Sequence, residues 1–443
     1  MSNRRILVIG WYFPPINSSE GLVTYKLLKN SKFEYDVFMQ KNNDDWSYKR
    51  TDLECDASIR RIYSNTDDVD TFADTAINYY KTHRGEYDIV MTRSMPEEDH
   101  KVGLKIKELD PDIYWIASFG DPIANNPYVL KGNVYYNKNS VANRGMSKAL
   151  SPKRILKSIY YKESYKKNVL NKARSLKELQ KQILQKADCV ICNSDYEKDY
   201  LLTVFNSEKD YENPLDIKNA DESKANCEFI IIPHSFDAEL YPRLVDKNID
   251  KGKQRFIYIG HLDDIRSPRA LFKALKMLKA KDSCLADKME FNFYGEMGNK
   301  DKLFLMDNEL LDLVKFHKDV DYLTSLRIMS EADWLLHIDA DISTVIPTNI
   351  FFAAKLADYI GTGNRIFGMT MIDGISKDIL SEYGALCTEL SASEIANYLY
   401  LIIYEGYDIS VNKDVIAKYD AKNVASVFDA TVENILNEKR SCK

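Results

Sequence analysis

Short, wholly apolar runs alternate with amphipathic stretches along this chain, and the alternation occurs twice. Ile6–Ile9, Tyr35–Met39, Asp88–Met91, Ile113–Ala117 and Cys189–Cys192 read as strands buried on both faces. Between them, Ser19–Leu28 reads as a helix, with Ser18 or Ser19 as its cap and Leu22, Tyr25 and Leu28 on one face. Asp70–Tyr80 and His100–Leu109 have the same character. Strands that alternate with helices form an open, mostly parallel sheet, which binds ligands beyond the C-terminal ends of its strands. A polar stretch at 206–227 then leads to the strand Phe229–Ile232 and Pro233, and the pattern restarts. Phe256–Ile259, Glu290–Tyr294, Val314–Phe316 and Trp334–Ile338 are the next strands, with helices at Pro268–Leu278 and Leu323–Ser330. The expected organisation is therefore α/β with two units, 1–228 and 229–425, and a last helix at 426–443 that returns to the first unit.

At 443 residues the chain is too long for one compact core and suits two. Its 45% hydrophobic and 29% charged residues fit a water-soluble globular protein. The apolar run at the N-terminus stops at Pro14–Pro15, too soon for a signal peptide, and no apolar stretch nears the ~20 residues of a membrane span. The expected location is cytoplasmic. Seven scattered cysteines point to reduced thiols, and Cys189 with Cys192 reads as a pair of core thiols in a strand rather than a zinc site.

Three segments of the second unit carry chemistry. In 343–366, STVIPTNIFFAAKLADYIGTGNRI, Pro347 reads as a helix start and Asn349–Ile360 as the helix. Gly361 and Gly363 stop it, and Ile366–Phe367 opens a strand. A helix opening on Thr348 and Asn349 holds phosphate through its free N–H groups and dipole, while Asp358 meets a ribose hydroxyl. In FIYIGHLDDIRSPRALFKALKML a strand ends at Gly260 and a cationic loop precedes a helix. In FNFYGEMGN a strand ends at Gly295, where a missing side chain lets backbone approach a ligand.

The order of these segments resembles the retaining GT-B glycosyltransferases of family 4, bacterial in type. Their pattern is roughly Pro-x-Lys-Leu-x-Glu-Tyr-x-x-x-Gly, preceded by Gly-Arg, a loop and a Lys or Arg. The first unit matches too: WYFPPINSSEGLVTYKLL, with its Tyr-Phe-Pro-Pro, then MTRSMPEEDHKVGLKIKEL and IYWIASFGDPIANNPY. The resemblance implies two facing Rossmann-like domains and a nucleoside-diphosphate sugar as donor substrate, with no cofactor. It assigns Arg266 to the leaving diphosphate, with Arg269 in reserve. Gly260, His261, Gly295, Glu296, Thr348, Asn349, Lys355 and Asp358 then line the donor site, and Lys318–Val320 meets the nucleobase. The acceptor-side loop is Asn17, Ser18, Ser19 and Gly21. Asp121 and His100 become candidate acceptor-site groups, and the Asp121 carboxylate can take the acceptor hydroxyl's proton. The chain departs from the family at His261, where Arg is usual, and at Ile350, where the first of two acidic residues is usual. Asp339 and Asp341 satisfy a bare Asp-x-Asp pattern, but they follow a donor-side strand and no metal is expected.

Charge is segregated. Residues 131–186 hold fifteen Lys or Arg and two acids, a net +13 in a chain of −6, so the remainder carries −19. Within it, Arg154–Lys167 interleaves cations with Ile, Leu and Tyr. This reads either as a basic amphipathic helix on an anionic membrane surface or as a solvated insertion. The overall acidity argues against a nucleic-acid partner. The expected activity is transfer of a sugar to a saccharide acceptor, lipid-linked, in bacterial surface-polysaccharide or glycoconjugate assembly. A protein or small-molecule acceptor, or a catalytically weakened partner subunit, are the alternatives.

Overall fold

The computed structural model describes residues 5–41, 51, 53, 57–130, 171–207, 222, 225–242 and 253–441. Most of the basic segment, Arg154–Lys167 included, lies outside them.

Seven parallel strands build the first sheet, in the order β3-β2-β1-β4-β5-β6-β7. They are β1 (Ile6–Ile9), β2 (Tyr35–Met39), β3 (Ile59–Tyr63), β4 (Ile89–Arg93), β5 (Tyr114–Ser118), β6 (Cys189–Cys192) and β7 (Glu228–Ile231). β1, β2, β4 and β6 are buried at every position, as strands covered by helices on both faces must be. Cys189 and Cys192 are buried core thiols. The helix Ser19–Asn30 starts as expected: Ser18 caps it by accepting the Gly21 N–H, and Leu22, Tyr25 and Leu28 are all buried. In the helix Glu98–Leu109, Gly103 lies against Trp115, whose indole would overlap any Cβ there.

The second sheet has six strands in the order β10-β9-β8-β11-β13-β15. These are β8 (Gln254–Ile259), β9 (Met289–Tyr294), β10 (Val314–His317), β11 (Trp334–Ile338), β13 (Arg365–Thr370) and β15 (Leu386–Glu389). Both orders step outward one way and then reverse, and the crevice at that reversal is where open α/β sheets bind ligands. A separate two-stranded ladder joins β12 (Thr348–Asn349) to β14 (Asp373–Gly374).

Three expectations change. β7 pairs in parallel with β6 (Cys189 opposite Glu228, Cys192 opposite Ile231) and completes the first sheet. A boundary at 228/229 would separate that strand from its hydrogen-bonding partner. The helix read as Asn349–Ile360 runs instead from Ala354 to Thr362. Thr348 and Asn349 are held in β12, and the Asn349 side chain folds forward to accept the Phe351 N–H at 3.0 Å, so the chain turns before it coils. The last helix starts at Ala421, earlier than 426, and runs to Ser441. Its Val424, Phe428 and Val432 share one apolar cluster with Leu22, Tyr25 and Leu28. Its Asp429 caps the end of the helix Ser19–Asn30, accepting from Ser31 Oγ at 2.5 Å and the Lys32 N–H at 3.0 Å.

The two sheets close on one another. Ala124, Tyr200 and Val204 of the first half pack with Ile265, Ile350 and Met371 of the second. Polar links accompany them: Lys26 Nζ to Asp358 Oδ1 at 2.9 Å, Tyr196 OH to Asp378 at 2.6 Å, and Tyr128 OH to Asp263.

Candidate active site

One wall of the crevice forms where β8 and β9 end. Gly260 and Gly295 have φ of +119° and +124°, a region side chains rarely enter. A Cβ on Gly295 would come within 2.6 Å of the Gly260 carbonyl oxygen, so the two turns approach each other only as glycines. The loop after β8 is shaped by Asp263, whose Oδ1 accepts the N–H groups of Ile265 and Arg266, each at 2.8 Å. That turn delivers Arg266 to Tyr258, and Lys355 reaches the same side chain from the first turn of the helix Ala354–Thr362. Lys355 Nζ bonds the Tyr258 hydroxyl and lies 3.9 Å from the centre of its ring. Arg266 and Lys355 sit deep among protein atoms, yet each keeps some surface toward the crevice. Burial, and then the Arg266 charge, push the Lys355 ammonium well below its usual range, although Asp339 pulls the other way. Burial, against the nearby Arg266 charge and with the help of Asp263, pushes the Tyr258 hydroxyl up to about 12. Arg266 Nε is buried without a hydrogen-bond partner. The helix that carries Lys355 has no side-chain cap at Ala353. Two crowded cations, an unpartnered guanidinium N–H and an uncapped helix start all favour an anion between them.

The facing wall forms where β4, β5 and β6 end. Arg93 closes β4, and its Nε donates to Glu20 Oε2 at 2.8 Å. Its Nη1 donates to Ser118 Oγ at 3.0 Å and to the Phe119 carbonyl at 3.1 Å, while Nη2 is buried without a partner. Glu197 Oε2 accepts the Asn193 N–H at 2.7 Å, and its Oε1 is buried and unpartnered. Asn193 Nδ2 in turn holds the Gly120 carbonyl at 3.0 Å, which fixes the loop carrying Asp121. Burial raises the Asp121 carboxyl well above its usual range, and Glu20 and Glu197 add to this, against Arg93 and Arg266. Burial likewise brings Glu197 to about 7. Glu197 can thus hold or take up a proton near neutral pH.

The other expected site residues differ in setting. His100 is fully buried, with Nδ1 2.7 Å from Thr92 Oγ1 and its ring tilted on Phe119. Because Thr92 also accepts from Trp115 Nε1, its own O–H is free for His100 Nδ1. Burial, with the nearby Arg93 charge, pushes this imidazole down to about 3, so it is neutral at pH 7, and its Nε2 is buried without a hydrogen-bond partner. Arg269 is tied down by Asp301, Nε to Oδ1 at 2.7 Å, and lies on the Phe304 ring, so it cannot replace Arg266. Asp358, expected on a ribose, is buried and engaged by Lys26 and by Tyr322 OH, both at 2.9 Å. Burial raises its carboxyl despite those two partners. Thr348 bonds Asp373, and the buried Asn349 bonds Ser376, so neither opens a helix toward phosphate. His261 is exposed at the crevice mouth, 3.2 Å from Asp319 in the loop expected at the nucleobase. Glu296 is exposed just beyond Gly295. Ser18 spends its hydroxyl on the cap, Ser19 is exposed beside it, and Asn17 precedes it. Gly21 is needed for fit, since a Cβ would lie 3.1 Å from Phe13 Cα. Asp339 bonds His337 and the Met371 N–H, whereas Asp341 turns back on Ser343. Among the described residues, no group of three or more His, Cys, Asp or Glu side chains is placed to hold a metal ion.

Sequence reasoning missed Glu20, Arg93, Glu197 and Tyr258. A signal existed: Arg93 directly ends an apolar strand, and Glu20 and Glu197 lie in the first turns of helices that follow strands.

No protein-family model matches the chain, and no curated protein matches it in sequence. Solved structures do match in fold. Sucrose-phosphate synthase from Thermosynechococcus elongatus superposes with a TM-score of 0.66 at 14% identity, over 98% of this chain and 100% of that one. An E. coli trehalose-6-phosphate structure bound with UDP-2-fluoro glucose gives 0.61 at 10% identity, over 96% and 98%. The lipopolysaccharide outer core galactosyltransferase WaaB gives 0.56 at 10% identity, over 97% and 99%. The two parallel sheets and these full-length matches show a GT-B fold.

Proposed function

We propose that this chain transfers a sugar from a nucleoside-diphosphate sugar to a saccharide acceptor, with retention of anomeric configuration. The observation that carries the reading is the convergence of Arg266 and Lys355 on Tyr258, beside two glycines and an uncapped helix start. Two like charges crowded together are relieved by an anion, and a diphosphate leaving group develops charge where they meet. Arg266 offers a planar fork to the phosphate oxygens, while Lys355 acts as a point charge. Across the crevice, Asp121 lies within electrostatic reach of Arg266 and beside Glu20 and Glu197. In this reading Asp121 orients the acceptor hydroxyl and takes its proton. The fold matches add that a GT-B neighbour binds a UDP-sugar analogue. The lipid-linked acceptor in surface-polysaccharide assembly, at a membrane surface, rests on the +13 segment alone.

A panel of nucleoside diphosphates and their sugars, scored by thermal shift, tests the reading, because a bound ligand stabilises the fold by mass action. The matched donor should then be hydrolysed slowly without acceptor. Arg266→Ala should lower turnover about 10²–10³-fold, as for loss of one preorganised donor. Full turnover in that variant removes Arg266 from the mechanism.

A second reading has its own observation. Ile350 stands where relatives carry an acidic residue and is buried in the apolar cluster between the halves, while Asp358 is committed to Lys26. A GT-B protein that binds a nucleotide but transfers sugar poorly, supporting an active partner, fits both facts. Nucleotide binding without donor hydrolysis selects it.

A further inference from the structure

We propose that a depression outside the crevice, at the C-terminal ends of β13 and β15, is a binding site for a neutral saccharide. It lies between the helices Ile375–Tyr383 and Ala392–Tyr404, and its lining includes Thr370, Lys377, Thr388, Glu394, Asn397 and Tyr398. Its volume of about 560 Å³ falls in the range of roughly 300–1,000 Å³ common to small-molecule sites. None of Arg266, Lys355 and Asp121 lines it.

The Thr388 hydroxyl points to a ligand. Thr388 is only 5% exposed, lines the depression, and its Oγ1 has no hydrogen-bond partner. A buried hydroxyl left unpaired is costly, and a turn of the Thr388 side chain about χ1 would let a ligand hydroxyl in the depression pair it. The rest of the lining selects the class. Lys377 lines the depression together with Glu389 and Glu394, so the charge balance is slightly negative and disfavours phosphate or a nucleotide. Lys377 gives one N–H to the Ile372 carbonyl at 2.6 Å and keeps two. The Asn397 amide both donates and accepts, and the carboxylates accept. Sugar hydroxyls need this mixture, since each is donor and acceptor at once. Tyr398, held edge-on by Tyr407 with centroids 6.1 Å apart, adds an aromatic surface for the C–H side of a pyranose ring. Met371 lines the depression and also belongs to the apolar cluster between the halves, so the site adjoins the crevice. Holding a distal part of the acceptor there would rest on the transferase reading, but the binding itself does not.

Saturation-transfer NMR on the full chain tests this, with glucose, galactose, N-acetylglucosamine and maltose as probes and the nucleoside diphosphates as a separate titration. Asn397→Ala changes an exposed side chain, and Thr388→Val keeps the buried shape while removing the hydroxyl. At least one sugar should give a saturable signal that weakens about fivefold in each variant, the loss of one net hydrogen bond, while the nucleotide titration is unchanged. No saturable sugar signal, or a signal equal in wild type and both variants, overturns the proposal. No nucleotide binding by the wild type, with a sugar signal that weakens in both variants, would instead sink the transferase reading and leave this one standing.

Discussion

Replacing Lys26 by Met should destabilise the protein by about 3–5 kcal/mol, the usual cost of removing one partner from a buried ion pair. The side chains of Lys26 and Asp358 are 1% and 7% exposed, and they meet at 2.9 Å across the junction of the two halves. Without Lys26, the Asp358 carboxylate keeps only Tyr322 OH, which bonds the same oxygen, Oδ1. The double variant Lys26→Met, Asp358→Asn removes both charges and should recover most of the loss, giving a coupling energy of about 2 kcal/mol or more. Acidity supplies a second check. Burial already raises the Asp358 carboxyl, and loss of Lys26 raises it further. A group with a raised folded pKa stabilises below its unfolded value and loses that stability as pH climbs through the folded one. The Lys26→Met deficit should therefore be larger at pH 8 than at pH 5. Urea unfolding followed by fluorescence and circular dichroism, compared at equal slopes, gives the numbers. A single-variant cost below about 1 kcal/mol with no coupling, the range of exposed pairs, would mean that the two halves are not joined through this pair.

Glu197→Gln should stabilise the protein increasingly as pH rises from 4.5 to about 7, the interval between the ordinary and the folded pKa. Over that interval the folded state binds more protons than the unfolded chain, so wild-type stability falls as pH rises, by roughly 3 kcal/mol at most. Parallel Tm–pH curves for the two proteins would refute it. Transfer should persist in excess chelator, because Arg266, Lys355 and the start of the helix Ala354–Thr362 supply the positive field; a complete loss restored by a divalent ion would count against that donor site. The protein should sediment with anionic vesicles at low salt and release at high salt. Replacing Lys157, Lys162, Lys166 and Lys167 by Glu should abolish this, and unchanged sedimentation would remove the membrane surface from the reading.

The strands and most helices were legible because their signals are local. The apolar runs IVMT and CVIC allow nothing but buried strands, and Ser18 three residues before Gly21 marks a helix start. That Gly260, Gly295, Arg266 and Lys355 come together was legible through their order along the chain. Asp358 was not, because its partner Lys26 lies 332 residues away. The setting of His100 was hidden for a related reason. Its burial depends on Phe119 and on the Thr92–Trp115 pair, contributed by the neighbouring strands β4 and β5 and the residue that follows β5. The helix start at Ala354 was missed because Asn349 uses its side chain on the next turn, a choice fixed by its pairing with β14.

The helix Ala421–Ser441 imposes an order on how the protein is made. It covers the apolar side of Ser19–Asn30, near the opposite end of the chain, and its first residue is anchored by the Ala421 N–H to the Phe236 carbonyl at 2.8 Å. When β7 leaves the ribosome, the whole first sheet exists but that side is bare. At about 5–20 residues per second, some 10–40 s pass before the covering helix is synthesised. During that interval Leu22, Tyr25 and Leu28 lack the cover of Val424, Phe428 and Val432, so the nascent first half depends on a chaperone or on staying near the ribosome surface. A premature stop anywhere after β7 would leave the same surface open for good, and such fragments should accumulate as aggregates rather than as a folded half-protein.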